Sequence, residues 1–262
     1  MTNKKSDKFL KLVNKHREQK KVPKFEGTLA DYLKIIEKNS DVARLAHRRL
    51  YDSIVAHGVN KMDTKQDRTN SLFSGEEVRV YDYFQKKFFG MERSLAKIMR
   101  FLRSASLKGE ESRQVLLLLG PVGAGKSALM EHIKSALEDS EPMYHIKDCP
   151  IREEPLHLIP RSLRDEFQEI YGIKIEGDLC PVCRFNLAEK HNNDYTSVPI
   201  AQSSFSVRGR RGVGVVPPMD ANSQDVTILV GSEDISKLDM YAEDDPRVLS
   251  LNGAFNVGNR GI

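Results

Sequence analysis

The sequence predicts an α/β fold, a parallel sheet flanked by helices, behind a helical N-terminal region. Three observations predict it. Val115 to Leu119 is an unbroken apolar run of strand length, of the kind buried on both faces of a parallel sheet. It leads directly into Gly120-Pro121-Val122-Gly123-Ala124-Gly125-Lys126-Ser127, a match to G-x-x-x-x-G-K-[ST]. Leu129, Ile133 and Leu137 then recur at helical spacing, so a helix begins near Lys126.

Strand, glycine loop and helix in that order are the parts of a phosphate-binding loop, and the frame is that of a P-loop NTPase. Backbone N–H groups at a helix N-terminus wrap a dense anion such as a triphosphate. Gly123 and Gly125 let the backbone curl close to it because no Cβ intervenes. Gly120, Pro121, Val122, Gly123, Ala124 and Gly125 form the expected cradle. Lys126 reaches the β/γ-phosphates as a point charge and is the candidate catalytic residue. Ser127 offers its hydroxyl to a Mg²⁺ ion that arrives with the nucleotide. The cofactors expected are therefore ATP and Mg²⁺. A chance glycine turn would not need the flanking strand and helix.

The 262 residues are enough for one large domain or two small ones, and 39% apolar with 30% charged residues describes a soluble globular chain. No apolar run reaches membrane-spanning length, and the N-terminus lacks a signal-peptide core. Only three cysteines argue against a disulfide framework, so the cytoplasm is the expected location. A net charge of +4 does not by itself indicate a nucleic-acid partner.

Residues 1–24 are strongly basic, with Phe9, Leu12 and Val13 on one helical face. They read as a solvated helix or arm packing loosely on its own domain, without the aromatic interleaving of a nucleic-acid binder. Residues 25–75 read as a helical region and linker. Thr28 to Asp31 is a capping-box variant, followed by Leu29, Tyr32, Leu33 and Ile36 at helical spacing. Ser40 or Asp41 caps a second helix carrying Val42, Leu45, Ala46, Leu50 and Ile54 and ending near Gly58. Residues 59–75 are the linker.

Residues 76–262 read as the ATP-binding domain. Phe88 to Met91 is a glycine-centred aromatic turn, open to two readings: contact with the base, or plain core packing. A helix follows, with Leu95, Ile98, Met99 and Leu102 on one face. Met143 to Ile146 is a short strand, and Ser162 to Tyr171 a helix with Leu163, Phe167 and Ile170 on one face. Ser203 to Val216 reads as a hairpin whose basic tip holds Arg208, Arg210 and Arg211, solvated in the first reading and touching a neighbour's nucleotide or a peptide in the second. Val226 to Val230 is another apolar run.

Phosphate-loop ATPases carry an apolar strand ending in an acid that orders Mg²⁺ and the attacking water. Glu233 and Asp234, three and four residues past Val230, are the best internal candidates, at poor spacing. The expectation is instead that the chain is a fragment stopping at Ile262, short of that strand.

Cys180-Pro181-Val182-Cys183 is half of a zinc knuckle. A structural zinc takes four ligands. Cys149 offers a third, and His145, His157 or His191 a fourth. A lone C-x-x-C is a weak signal, so ordinary thiols come first, a zinc site second and a redox pair third.

Seven stretches carry a family likeness: EGTLADYL at 26–33, VARLAHRRLYDSI at 42–54, FFGME at 88–92, VLLLLGPVGAGKS at 115–127, EEPLHLIP at 153–160, EGDLCPVCR at 176–184 and SLNGAFNVGNRGI at 250–262. Through them nearly the whole chain resembles the N-terminal AAA+ ATPase domain of bacterial PrkA-type serine protein kinases. The resemblance implies an AAA+ domain within a longer protein, able to assemble as a homo-oligomeric ring. It also implies ATP-dependent phosphorylation of serine on a protein substrate. The residues themselves show no V-A-I-K lysine, H-R-D loop or D-F-G. Kinase chemistry therefore rests on the resemblance alone, and the alternative is an AAA+ ATPase that remodels or helps degrade proteins.

Overall fold

The structure, a computed structural model, describes residues 3–19, 25–61, 78–216, 225–243 and 245–262. The N-terminal part runs α1 (Asn3–Gln19), β1 (Glu26–Gly27), α2 (Leu29–Lys38), α3 (Ala46–Val55), β2 (Val59–Lys61), β3 (Arg79–Tyr81) and α4 (Asp82–Gln85). The central part holds α5 (Glu92–Ser106), α6 (Lys126–Glu138), β4 (Met143–Ile146), α7 (Arg164–Tyr171), α8 (Pro181–His191) and β5 (Ile200–Ser203). The last part holds α9 (Thr227–Val230), β6 (Ser232–Glu233), β7 (Leu249–Ser250) and α10 (Ala254–Val257). Among the described residues no helix is long and apolar enough to cross a membrane.

The fold is mixed α/β, but its sheets are small and antiparallel: β1-β5-β4, β2-β3 and β6-β7. Among the described residues the expected parallel sheet is not formed. Val115 to Leu119 joins no sheet, and among the described residues no backbone hydrogen bond pairs it with another segment. Its side chains still alternate as a strand's do. Val115, Leu117 and Leu119 are 91%, 71% and 85% exposed, while Leu118 packs on the core. A trace of parallel pairing occurs at the chain's end. Ile262 N donates to Gly212 O at 2.9 Å and Ile262 O accepts from Gly214 N at 2.7 Å, which sets Ile262 beside Val213 in a parallel pattern.

Among the described residues two hydrophobic cores form, and β4 separates them. Residues an odd number apart on a strand point to opposite faces. Met143 accordingly enters the first core with Leu50, Ile54, Leu95, Met99, Ile133 and Leu137. Ile146 enters the second with Leu29, Tyr32, Ile36, Phe167, Leu187 and Ile200. The stripe of α5 is the one its periodicity predicts, with Leu95, Ile98, Met99 and Leu102 buried. In α7 only Phe167 is buried, while Leu163 and Ile170 are exposed.

The local signals at the N-terminus hold with shifts. The Asp31 carboxylate accepts from Thr28 N at 3.2 Å and from Thr28 Oγ1 at 3.0 Å at the start of α2. The next helix begins at Ala46, later than Ser40 or Asp41 suggested. Asn39 Oδ1 accepts from Asp41 N at 3.0 Å and starts a 3₁₀ turn over Ser40–Ala43 instead. α1 forms, but Phe9, Leu12 and Val13 are exposed, so that face is not buried. Of the expected linker, 59–61 forms β2, and 62–75 lies outside the described residues. Val226 to Val230 is not a strand: Thr227–Val230 is one helical turn.

Candidate functional site

The site with the densest chemistry is the curl at 120–127. α6 starts at Lys126, with Gly125 as its N-cap at φ 78° and Gly123 at φ 82°. Side chains with a Cβ avoid these left-handed values, so the curl needs glycine at both positions. The first N–H groups of α6 have no acceptor within the helix, which leaves them free for an anion. A Cβ on Gly123 would meet nothing within 4 Å, and Val122 and Ser127 are exposed, so the curl opens to solvent. Lys126 Nζ folds back over it, donating to Gly120 O and Pro121 O at 2.7 Å each. The structure thus brings all eight candidate residues, Gly120 to Ser127, into one turn.

The aromatic turn adjoins this curl. Met91 Sδ lies 3.8 Å from where a Cβ on Gly125 would stand. Behind it, Tyr83 stacks on His132 of α6 at 4.2 Å between ring centroids. Tyr83 Oη donates to His132 O at 2.7 Å, and His132 Nε2 meets Tyr83 O at 2.9 Å. Burial pushes the Tyr83 hydroxyl up to about 12, so it stays a neutral donor. Phe88 is buried, Phe89 exposed, and Gly90 takes φ 71° between Phe89 and Met91. A cavity of about 390 Å³ beside the turn is lined by Tyr81, Phe84, Phe88 and Phe89 among others. That cavity has no lining residue from 120 to 127.

The remaining nucleotide candidates lie outside this curl. Asp234 caps its own turn through Ser236 Oγ at 2.6 Å and pairs with Lys237, while Glu233 sits opposite Leu249 in the β6-β7 ladder. At the basic tip, Ser206 and Arg211 exchange two hydrogen bonds of 2.9 Å, closing the turn. Arg208 and Arg210 are exposed there, and Arg210 Nη2 donates to Asn252 O at 2.8 Å.

A second cluster has its own chemistry. Cys149, Glu153, Cys180 and Cys183 are all buried, with donor atoms within 4.8 Å of one another, and such a group can hold a metal ion. The sequence supplied the three cysteines. The fourth member is Glu153 and not His145, His157 or His191. Cys149 and Glu153 lie four apart on the turn after β4, a spacing that only the fold relates to the distant C-x-x-C. Hydrogen bonds from Cys149 and then Cys183 hold the Cys180 thiol well below its usual range, while the bond to Cys180 pushes Cys149 up and bonds to Cys149 and then Cys180 push Cys183 up.

Comparison with known proteins places the chain in one family, whose members carry different names. The PrkA AAA domain family matches residues 27–262. The ATP-dependent protease PrkA of Bacillus subtilis (strain 168) is 38% identical over 261 residues, covering 97% of this chain and 39% of that protein. The serine/threonine kinase YeaG of Escherichia coli (strain K12) is 31% identical over 246 residues, covering 90% of this chain and 37% of that protein. The chain thus spans about two fifths of the length of these relatives. No solved structure matches.

Proposed function

We propose that this chain, which belongs to the PrkA AAA domain family, is the ATP-binding part of an enzyme that uses ATP to act on proteins. One observation carries the proposal: Gly125 at φ 78° starts α6 where Lys126 and the open helix amides face one curl, with Met91 against it. The residues fit a nucleotide triphosphate. Glycines at 123 and 125 leave room for phosphate oxygens. The Lys126 ammonium already satisfies itself on oxygen atoms of the loop, and phosphate oxygens offer stronger, charged acceptors. Gly120 to Gly125 would cradle the phosphates, Lys126 the β/γ-phosphates, and Ser127 the Mg²⁺. Phe88 to Met91 would lie beside the base. The bound Mg²⁺ would supply charge neutralisation at the phosphates.

The division proposed is a basic arm at 1–24, a helical region and linker at 25–75, and the ATP-binding domain at 76–262. A cytoplasmic protein substrate and assembly as a homo-oligomeric ring belong to the same reading. The activity proposed is phosphorylation of serine on that substrate, as the resemblance implies and as the name of the E. coli relative supports. The second reading, an ATPase that remodels or helps degrade proteins, is supported by the name of the B. subtilis relative. Labelled γ-phosphate separates them. Label recovered on substrate serine in the full-length protein's reaction supports the kinase. Release of inorganic phosphate alone, accelerated by substrate, supports the remodelling enzyme.

A further inference from the structure

We propose that Cys149, Glu153, Cys180 and Cys183 hold one zinc ion in a closed structural site, separate from the phosphate loop. The dimensions allow it. Zinc–sulfur bonds of about 2.3 Å in a tetrahedron place two sulfurs about 3.8 Å apart. The four donor atoms already lie within 4.8 Å of one another, so small side-chain rotations complete the tetrahedron.

Charge supplies the second argument. Glu153 is 2% exposed and sits among three thiols in the second core. A buried carboxylate is costly unless a cation accompanies it. Its Oε1 accepts from Cys180 N at 2.6 Å, and its Oε2 meets Cys149 Sγ at 3.5 Å. Among the described residues its one ion-pair neighbour is His157, with Nδ1 at 3.7 Å. That nitrogen is buried without a hydrogen-bond partner, while Nε2 of the same ring is engaged by Glu176 O at 2.8 Å. A divalent cation among the four donors supplies the missing charge.

The sulfurs are also prepared as ligands. Cys180 is the N-cap of α8, and Cys183 N donates to Cys180 Sγ at 3.3 Å. Glu153 N donates to Cys149 Sγ at 3.4 Å. Amides aimed at sulfur are the donors that a metal-bound thiolate accepts. All four donors are buried and none leaves a position facing solvent, which is the pattern of a structural rather than a catalytic zinc. The ion would join the turn after β4 to the start of α8 and so fasten the second core.

The test begins with the chain purified without chelator or metal-affinity resin. Elemental analysis is expected to give about one equivalent of zinc per chain. Cobalt exchanged into the site should give thiolate-to-cobalt charge transfer and d–d bands of tetrahedral strength. Cys180→Ser and Cys183→Ser should fall below about a tenth of an equivalent. Glu153→Gln should keep the charge-transfer band while weakening zinc at least about tenfold. His145→Ala and His191→Ala should retain full zinc. If the cysteine variants fail to fold, the cobalt spectrum of the unaltered chain still decides. Less than about a tenth of an equivalent, with no zinc or cobalt uptake by the fully reduced chain, would overturn the site. Cobalt uptake without thiolate charge transfer would overturn it equally.

Discussion

Tyr32 donates its hydroxyl to Glu154 Oε1 at 2.6 Å, across 122 residues of sequence. The same carboxylate ion-pairs with Arg260, whose guanidinium also donates to Tyr144 O. One acid therefore fastens α2, the turn after β4 and the last residues of the chain together. Removing the phenol leaves a charged acceptor short of a donor. Tyr32→Phe should cost about 1.5–3 kcal/mol in urea unfolding. The alkaline limb is a second readout. Burial first, then the Glu154 charge, raises the Tyr32 pKa well above the ordinary 10.0. The folded state thus holds this proton more tightly, so the stabilisation is complete below pH 10 and is lost as pH rises toward the folded value. The native chain should lose stability above pH 10 more steeply than Tyr32→Phe.

Asp178 gives the opposite sign. Arg161 Nε donates to it at 3.0 Å and Arg164 Nη2 pairs with it at 3.2 Å. The Arg161 hydrogen bond chiefly holds the carboxyl at about 2 rather than 3.8. Its stabilisation is present above 3.8 and fades as pH falls through about 2. Asp178→Asn should therefore lower the urea midpoint at pH 6, with the gap to the native chain closing across that acid window.

The extended run before the loop makes a directional prediction. Leu118 packs on the first core while Leu117 is 71% exposed. Leu118→Ala should cost about 1–2 kcal/mol, the low end for a partly buried leucine. Leu117→Ser should stay within about 0.5 kcal/mol. Equal costs in urea unfolding would mean that the face of Leu117 is covered in solution.

Met91 tests the base reading apart from the phosphate reading. Met91→Ala should weaken ATP binding about tenfold, a loss of about 1.4 kcal/mol. Affinity for inorganic tripolyphosphate should be unchanged. Equal losses for both ligands would assign Met91 to core packing alone.

The curl and its helix were legible in the sequence because glycine conformation and apolar periodicity are local. The sheet was not, because a ladder needs a partner that the run itself does not specify. Val115 to Leu119 has no such partner among the described residues. Val226 to Val230, equally apolar, gives way to local signals. Asp225 Oδ1 accepts from Thr227 N at 2.9 Å, and Gly231 at φ 93° ends the turn. α8 carries only end signals, proline at its first position and Asn192 at φ 47° past its end. Cys149, Cys180 and Cys183 were visible as metal-ligand types, but only the fold chooses Glu153 over three histidines.

We propose that residues 120–127 grip a triphosphate through α6 amides and one ammonium. Titration of the chain with ATP in the presence of Mg²⁺, beside Lys126→Ala of matching far-ultraviolet circular dichroism, tests it most directly. Saturable binding is expected for the native chain and none measurable for Lys126→Ala. Equal affinity in the two proteins would contradict it.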